Sequence, residues 1–315
     1  MALKDWVWAS GLSRLLLPLS WVYRLGGVIR AAMLRPQRVK KPVICVGNAV
    51  VGGAGKTPVT LALAEILTAQ GHQPALVYKG YQRTNPATLR VDPARHTLAD
   101  AGDEPLMAAA FAPTFVGKTR LRAAQAAADS EADLLILDDG LQNPTLIKDL
   151  TFLVMDTQYG FGNGRVLPAG PLRMSPKDAL HRADAVILLG DGPAPITPKP
   201  LFRAHLVSLL PEALKGKPLV AFAGIGRPEK FFQGLGHAGA TLVDTLSFPD
   251  HHAYTPEDIT LLTRCTPEGA TRVTTQKDAV RLPPHFATPI PAHLIWDDPE
   301  AIAGFLRGRV SRGHP

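Results

Sequence analysis

The sequence predicts an α/β protein: a core with a mainly parallel sheet, a smaller α/β C-terminal domain, and an N-terminal amphipathic membrane-interface helix. Three observations carry that prediction. An apolar run beginning at Val43 opens into a glycine-rich loop ending in Gly55-Lys56-Thr57, ahead of a helical pattern. Short apolar runs then alternate with helical periodicity, the order that gives parallel strands joined by crossover helices with ligands at the carboxyl ends of the strands. Before both lies an apolar stretch interrupted by arginines.

The chain has 315 residues, 46% of them hydrophobic, enough for two domains with buried cores. Its two cysteines, Cys45 and Cys265, stand far apart. That spacing indicates neither a disulfide framework nor a metal cluster and suits a reducing cytosol. A net charge of +7 points to an anionic partner, whether nucleotide, nucleic acid or anionic membrane surface. Nucleic acid is not expected, because no reading motif or stacking array stands in the chain and basic residues gather beside an apolar segment.

Residues 11–34 are apolar but carry Arg14, Arg24 and Arg30, so no run is long enough to span a bilayer. Trp6, Trp8, Trp21 and Tyr23 suit the headgroup boundary, and Arg35, Arg38, Lys40 and Lys41 add charge toward an anionic membrane surface. Residues 1–40 therefore read as an interfacial region, the alternative being a helix packed on the protein. The loop follows. Val50, Val51, Gly52, Gly53, Ala54, Gly55, Lys56 and Thr57 form a phosphate-binding loop for ATP, in which glycines bring N–H groups against phosphate oxygens. Lys56 reaches the β- and γ-phosphates, and Thr57 offers its hydroxyl to Mg²⁺. A strict G-x4-G-K-T motif would need glycine where Val50 stands; a glycine doublet at 52 and 53 replaces it. Turns between a strand and a helix are often glycine-rich for chain reversal alone, which leaves Lys56 and Thr57 unexplained.

This P-loop NTPase core is expected over residues 41–192. Residues 59–70 carry helical periodicity that Gly71 ends. Residues 74–78 read as a buried strand, 104–111 and 120–129 as helices, and 133–137, 150–156 and 185–189 as strands. The proline-rich stretch 190–200 lacks apolar periodicity and marks the expected boundary, with the smaller domain over 193–315. Its strand candidates are 218–224, 241–246, 272–275 and 293–296.

Asp138, Asp139 and Gln142 follow an apolar strand, where a P-loop enzyme keeps the acidic residue that holds Mg²⁺. An acidic pair there is otherwise a turn or a cap. Asp103 before a helix and His251 in Asp250-His251-His252 are each unremarkable alone, as a cap and a surface group; together they offer a base for a phosphoryl acceptor hydroxyl. Lys79, Arg83, Arg120, Arg122, Arg165 and Arg173 suit polyanion chemistry, and Arg173 is the only charged group in LPAGPLR.

In this order the motifs resemble the tetraacyldisaccharide 4'-kinase family of lipid A biosynthesis in Gram-negative bacteria. The matching elements are GN(x)3GGxGKTP at 47–58, KGYxR at 79–83, GDEP at 102–105, DDGLQ at 138–142, LPAGPLR at 167–173, DHH at 250–252 and TQKDAVRL at 275–282. The resemblance implies ATP-dependent phosphorylation of the 4'-hydroxyl of a tetraacyldisaccharide 1-phosphate, on the cytoplasmic face of the inner membrane. It implies Asp103 as catalytic base with His251 as its partner, and Lys56 on the phosphates. Thr57, Asp138, Asp139 and Gln142 would lie around Mg²⁺, and Arg83, Arg120 and Arg173 near substrate or transferring phosphate, with Arg122 an alternative to Arg120. The chain departs from the family at Met174 and Gln276, where glutamate is common, so a metal-binding carboxylate after Arg173 is not carried over. The rival reading is a deviant P-loop ATPase acting as a membrane-associated switch, which needs no Asp103–His251 pair.

Overall fold

The computed structural model describes residues 8, 11–80 and 83–310. Trp6 and the Tyr81-Gln82 portion of the KGYQR motif lie outside the described residues. The strands are β1 (Val43–Gly47), β2 (Pro74–Tyr78), β3 (Leu89–Arg90), β4 (Thr114–Val116), β5 (Leu134–Asp138), β6 (Leu150–Asp156) and β7 (Ala185–Leu189). They continue with β8 (Leu201–Ser208), β9 (Pro218–Ala223), β10 (Thr241–Ser247), β11 (Thr271–Thr275), β12 (Thr288–Ile290) and β13 (Ala292–Trp296). The helices are α1 (Leu17–Met33), α2 (Lys56–Ala69), α3 (Leu98–Ala101), α4 (Asp103–Ala108), α5 (Arg120–Ala128) and α6 (Pro176–Arg182). After them come α7 (Pro228–His237), α8 (Pro256–Arg264), α9 (Gln276–Ala279) and α10 (Pro299–Val310).

The large sheet runs β13-β8-β7-β6-β1-β5-β2-β4-β3, parallel except at its two edges, where β13 and β3 are antiparallel to their neighbours. Strands β1, β2, β5, β6 and β7 are buried at every position. Such continuous apolar runs are what a parallel strand needs when helices cover both faces. On one face Ile44, Leu76, Phe152 and Ile187 pack with Leu63 and Leu67 of α2 and Leu306 of α10. On the other, Cys45, Val77, Leu135 and Leu137 pack against the alanines of α5. The chain leaves β1 for β2 on one side and later adds β6 on the other. The crevice outside the carboxyl end of β1 is therefore the topological switch point where an α/β sheet binds its ligand.

The small sheet, β10-β9-β11-β12, is wholly parallel. Leu219, Ala221, Leu235 and Val273 form its core, and Phe222 meets Phe248, Tyr254 and Phe286 edge-on. The expected boundary at 192/193 does not coincide with the division between the sheets. Strand β8 pairs with β7 of the large sheet, β13 pairs with β8, and α10 packs on the same face as α2. The proline-rich stretch interrupts the periodicity but not the sheet. Half-exposed β8 gives no apolar run that would have revealed its membership.

Helix α1 has Ser20 as its buried residue. The Ser20 hydroxyl donates to the Val166 carbonyl at 2.8 Å and accepts the Ala169 N–H at 3.2 Å. Trp8 donates its indole N–H to the Pro168 carbonyl, so it docks on the LPAGPLR loop instead of facing outward. Leu19, Trp21, Val22, Leu25, Val28, Ile29 and Met33 are exposed, Trp21 to 73%. Among the described residues no helix is long and apolar enough to cross a membrane.

Candidate active site

The P-loop joins β1 to α2. Glycine is required at 47, where a Cβ would lie 2.5 Å from Leu141 Cβ. At Gly55, φ is +75° and an added Cβ would meet Leu189 at 2.4 Å. Val50 bridges Leu172, and Val51 N–H donates to the Pro171 carbonyl at 2.9 Å, so LPAGPLR lies alongside the loop. Lys56 Nζ is 3.2 Å from Asn48 Oδ1 and 3.5 Å from Asp139 Oδ1. Thr57 donates its hydroxyl to Asp138 Oδ2 at 2.8 Å.

Asp138 ends β5 with 2% of its surface exposed. Burial, then the charge of Glu104, pushes its carboxyl up to about 6, against the pull of Lys56 and the Thr57 hydrogen bond. Its Oδ1 is buried without a hydrogen-bond partner among the described residues. Asp139 adopts φ +53° and turns its carboxylate to Arg173 at 3.0 Å, Lys56 at 3.5 Å and Arg120 at 3.7 Å. Burial would raise that carboxyl, but Lys56, Arg173 and Arg120 hold it below the usual range. Arg120 also donates from Nε to the Asp138 carbonyl, whereas Arg122 is exposed. Gln142 donates its amide to the Asn48 carbonyl at 2.6 Å.

An orphaned carboxylate oxygen beside a threonine hydroxyl fits Mg²⁺. That ion takes one or two protein oxygens and fills its octahedron with waters and phosphate oxygens. Among the described residues no trio of His, Cys, Asp or Glu is placed to hold a metal ion by itself.

The second cluster joins the two sheets. Gly102, at φ +86°, lets α3 end and α4 begin at once, which turns Asp103 inward. Asp103 Oδ2 meets His251 Nδ1 at 2.8 Å across 148 residues of sequence, and its Oδ1 accepts the Glu104 N–H at 2.9 Å. His251 adopts φ +59°, a conformation uncommon outside glycine and found where a site over-determines it. Burial raises the Asp103 carboxyl, but the His251 hydrogen bond and the charges of Lys277, His251 and Arg281 outweigh it and hold it below the ordinary value. The link to the P-loop is close: a Cβ on Gly226 would lie 2.9 Å from Gly53 N and 3.4 Å from Asp250 Oδ2.

Sequence reading assigned no task to four residues that shape this cluster. Glu104 and Lys277 pair at 3.2 Å. Asp278 is fully buried and accepts from Gly224 N–H, the Tyr254 hydroxyl and the Thr275 hydroxyl at 3.0, 2.9 and 2.6 Å. Arg281, its side chain 6% exposed, reaches Asp103 at 3.5 Å and Asp278 at 3.4 Å. The available signal was the spacing of Lys277, Asp278 and Arg281, which puts them within one turn of each other. Asn48, fully buried between Lys56 and Gln142, was likewise quoted in a motif without a role. Arg83 stands apart: it donates to the Ala87 carbonyl, and no hydrogen bond or ion pair links it to either cluster among the described residues.

The sequence profile of the family described as "Tetraacyldisaccharide-1-P 4'-kinase" matches residues 12–308. The chain belongs to this family. The tetraacyldisaccharide 4'-kinase of Parvibaculum lavamentivorans is 49% identical over 279 residues, covering 86% of this chain and 82% of that one. The enzyme of the same name from Rhodospirillum centenum is 46% identical over 318 residues, covering 96% and 94%. The crystal structure of "apo" form LpxK from Aquifex aeolicus in complex with ATP superposes with a TM-score of 0.79 at 28% identity, covering 95% of this chain and 99% of that one. In this chain the P-loop, DDGLQ and LPAGPLR segments form the first cluster, and the GDEP, DHH and TQKD segments the second.

Proposed function

We propose that this chain transfers the γ-phosphoryl group of ATP to the 4'-hydroxyl of a tetraacyldisaccharide 1-phosphate in lipid A biosynthesis. The observation that carries the reading is the Asp103–His251 pair, assembled from distant segments beside the P-loop. A switch ATPase needs a P-loop and an acidic strand end but no base for an organic hydroxyl. Lys56 and the loop amides hold the triphosphate, with the N-terminus of α2 behind it. Asp103 accepts the proton as the sugar oxygen attacks phosphorus in line. Thr57 and Asp138 would hold Mg²⁺, which when bound neutralises charge on the phosphate oxygens. Asp139 and Gln142 adjoin them, their side chains here engaged by Arg173 and by the Asn48 carbonyl. Arg120 and Arg173, gathered on Asp139, are available to the transferring or substrate phosphate. Arg83 is assigned to substrate only through its motif.

The acyl chains give α1 a purpose. A substrate lying in a leaflet is met most readily by a protein resting on it, and the exposed Leu19, Trp21, Leu25 and Val28 suit the interface of an anionic membrane. This makes the chain a peripheral protein of the cytoplasmic face of the inner membrane.

The test is incubation with Mg·[γ-³²P]ATP and a detergent-dispersed tetraacyldisaccharide 1-phosphate. Label in the lipid is expected. Free phosphate released equally with and without lipid would replace this reading with the ATPase switch.

A further inference from the structure

Lys277 Nζ lies 3.1 Å from His251 Nε2, opposite the ring nitrogen that meets Asp103. It also lies 3.2 Å from Glu104 Oε1 and 3.8 Å from Asp250 Oδ1. An ammonium group has three donors and no lone pair, so a nitrogen hydrogen-bonded to it must accept. With Lys277 as the donor, Nε2 of His251 accepts, and the ring's own proton is left to Nδ1, the nitrogen that faces Asp103 Oδ2.

We propose that Lys277 is a positioning residue that fixes His251 as the neutral, Nδ1-protonated imidazole and so keeps Asp103 ionised for the acceptor hydroxyl. The proposal rests on Asp103 being the base. Among the described residues, charged groups facing the Asp103–His251 pair include Glu104 on α4, Asp250 in the turn after β10 with Oδ1 3.9 Å from His251 Nε2, Lys277 on α9 and Arg281 just beyond α9. Glu104 and Asp250 would draw a proton onto the pair. Lys277 stands within 4 Å of both and of the ring, so it compensates their charge and repels an added proton directly. Arg281 acts in the same sense from the Asp103 side. During turnover the acceptor oxygen bonds to the γ-phosphorus as the bond from that phosphorus to the β,γ-bridging oxygen breaks and ADP leaves; the acceptor O–H bond breaks and its proton passes to the Asp103 carboxylate. The pair then carries one extra proton beside a fixed cation, which favours its release to solvent.

The experiment is the pH dependence of kcat/KM in the lipid-labelling assay for the wild type, Lys277→Met and Lys277→Arg, with Asp103→Asn as control. Removing a cation favours adding a proton, so the acidic limb of Lys277→Met should move up by roughly 1–3 pH units. Its KM for ATP should stay within about twofold, and Lys277→Arg should return most of the shift. A uniformly lower kcat with an unmoved limb would make Lys277 a structural ion-pair partner only. A raised KM for ATP with an unmoved limb would make it a phosphate ligand; either result overturns the proposal. Near-wild-type kcat in Asp103→Asn would instead remove the base assignment, whatever Lys277→Met does. A second measurement needs no variant of Lys277: long-range ¹H–¹⁵N correlation on histidine-labelled wild type, with His251 assigned by its absence in His251→Gln. Ring shifts of the Nδ1–H tautomer are expected, and those of the Nε2–H tautomer would overturn the proposal.

Discussion

At the scale of single residues, the site depends on charges that are buried but compensated. Asp103→Asn keeps the shape and removes the proton acceptor, so kcat should fall by roughly 10²–10⁴ while KM for ATP changes little. Steady-state kinetics on the lipid acceptor decides it, and a kcat near wild type would end the role. The same carboxyl makes stability depend on pH. Its folded value is depressed, so its contribution is complete above the unfolded carboxyl's value of about 4 and is lost as pH falls through the folded one. Asp103→Asn should therefore flatten the acid side of a denaturation midpoint-versus-pH curve below about pH 4. Asp278 is purely structural in this scheme. Its carboxylate is fully buried against the 6%-exposed Arg281 side chain, and Asp278→Ala would remove one of that guanidinium's two carboxylate partners, leaving Asp103, and would strip the Gly224 N–H and the Tyr254 hydroxyl of their acceptor. The expected cost is about 3–5 kcal/mol in urea unfolding, far above that of an exposed pair. These roles separate what the sequence disclosed from what it did not. Lys56, Thr57 and Asp138 sit at fixed offsets from a strand and announce themselves locally. Arg281, Lys277 and Glu104 acquire meaning only when the chain brings α4 against α9.

At the scale of elements, legibility followed burial on both faces. Strands β1, β2, β5, β6 and β7 read as apolar runs because helices cover each side; β1 begins at the expected Val43, and the observed bounds of β2, β5, β6 and β7 lie within a residue of the expected ones. Strand β8 was missed because it carries half-exposed polar positions, and β4 because three residues give no period. The coupling of α1 to the phosphate loop was also hidden, since it runs through hydroxyl and backbone groups that any sequence supplies. Ser20 holds the turn at 166–169, and the same loop bridges Val50 and carries Arg173 to Asp139. Ser20→Ala leaves a buried carbonyl and N–H without that partner, at about 1–3 kcal/mol of local stability. Hydrogen exchange should speed over residues 166–173 and stay unchanged in β1 and β5. Unchanged protection over 166–173 would show that α1 does not brace the loop. On the outer face, Trp21→Ser with Leu25→Ser should lower co-sedimentation with anionic vesicles while sparing ATP binding, because both side chains are exposed.

At the scale of the molecule, two sheets share one site, so their approach must be favourable yet adjustable. Asp156, at the carboxyl end of β6, is 4% exposed and is engaged by both Arg227 and Lys230 at the start of α7. The Arg227 guanidinium also stacks over Tyr159 of the large-sheet side, 4.4 Å from the ring centre. These contacts flank the point where Gly226 meets Gly53 of the P-loop, so they set how closely the small sheet approaches the phosphates. A buried carboxylate paired with two cations is costly to leave unpaired, which makes this contact a strong constraint when formed. Asp156→Asn should weaken it, seen as a larger radius of gyration by small-angle scattering without ligand and a higher KM for ATP. Combined with Arg227→Gln in a double-mutant cycle on unfolding free energy, it should give a coupling of about 0.5–3 kcal/mol. A coupling near zero with an unchanged radius would mean that the sheets are held by the Asp103–His251–Lys277 cluster alone. Closure would then be governed by the same groups that move the proton.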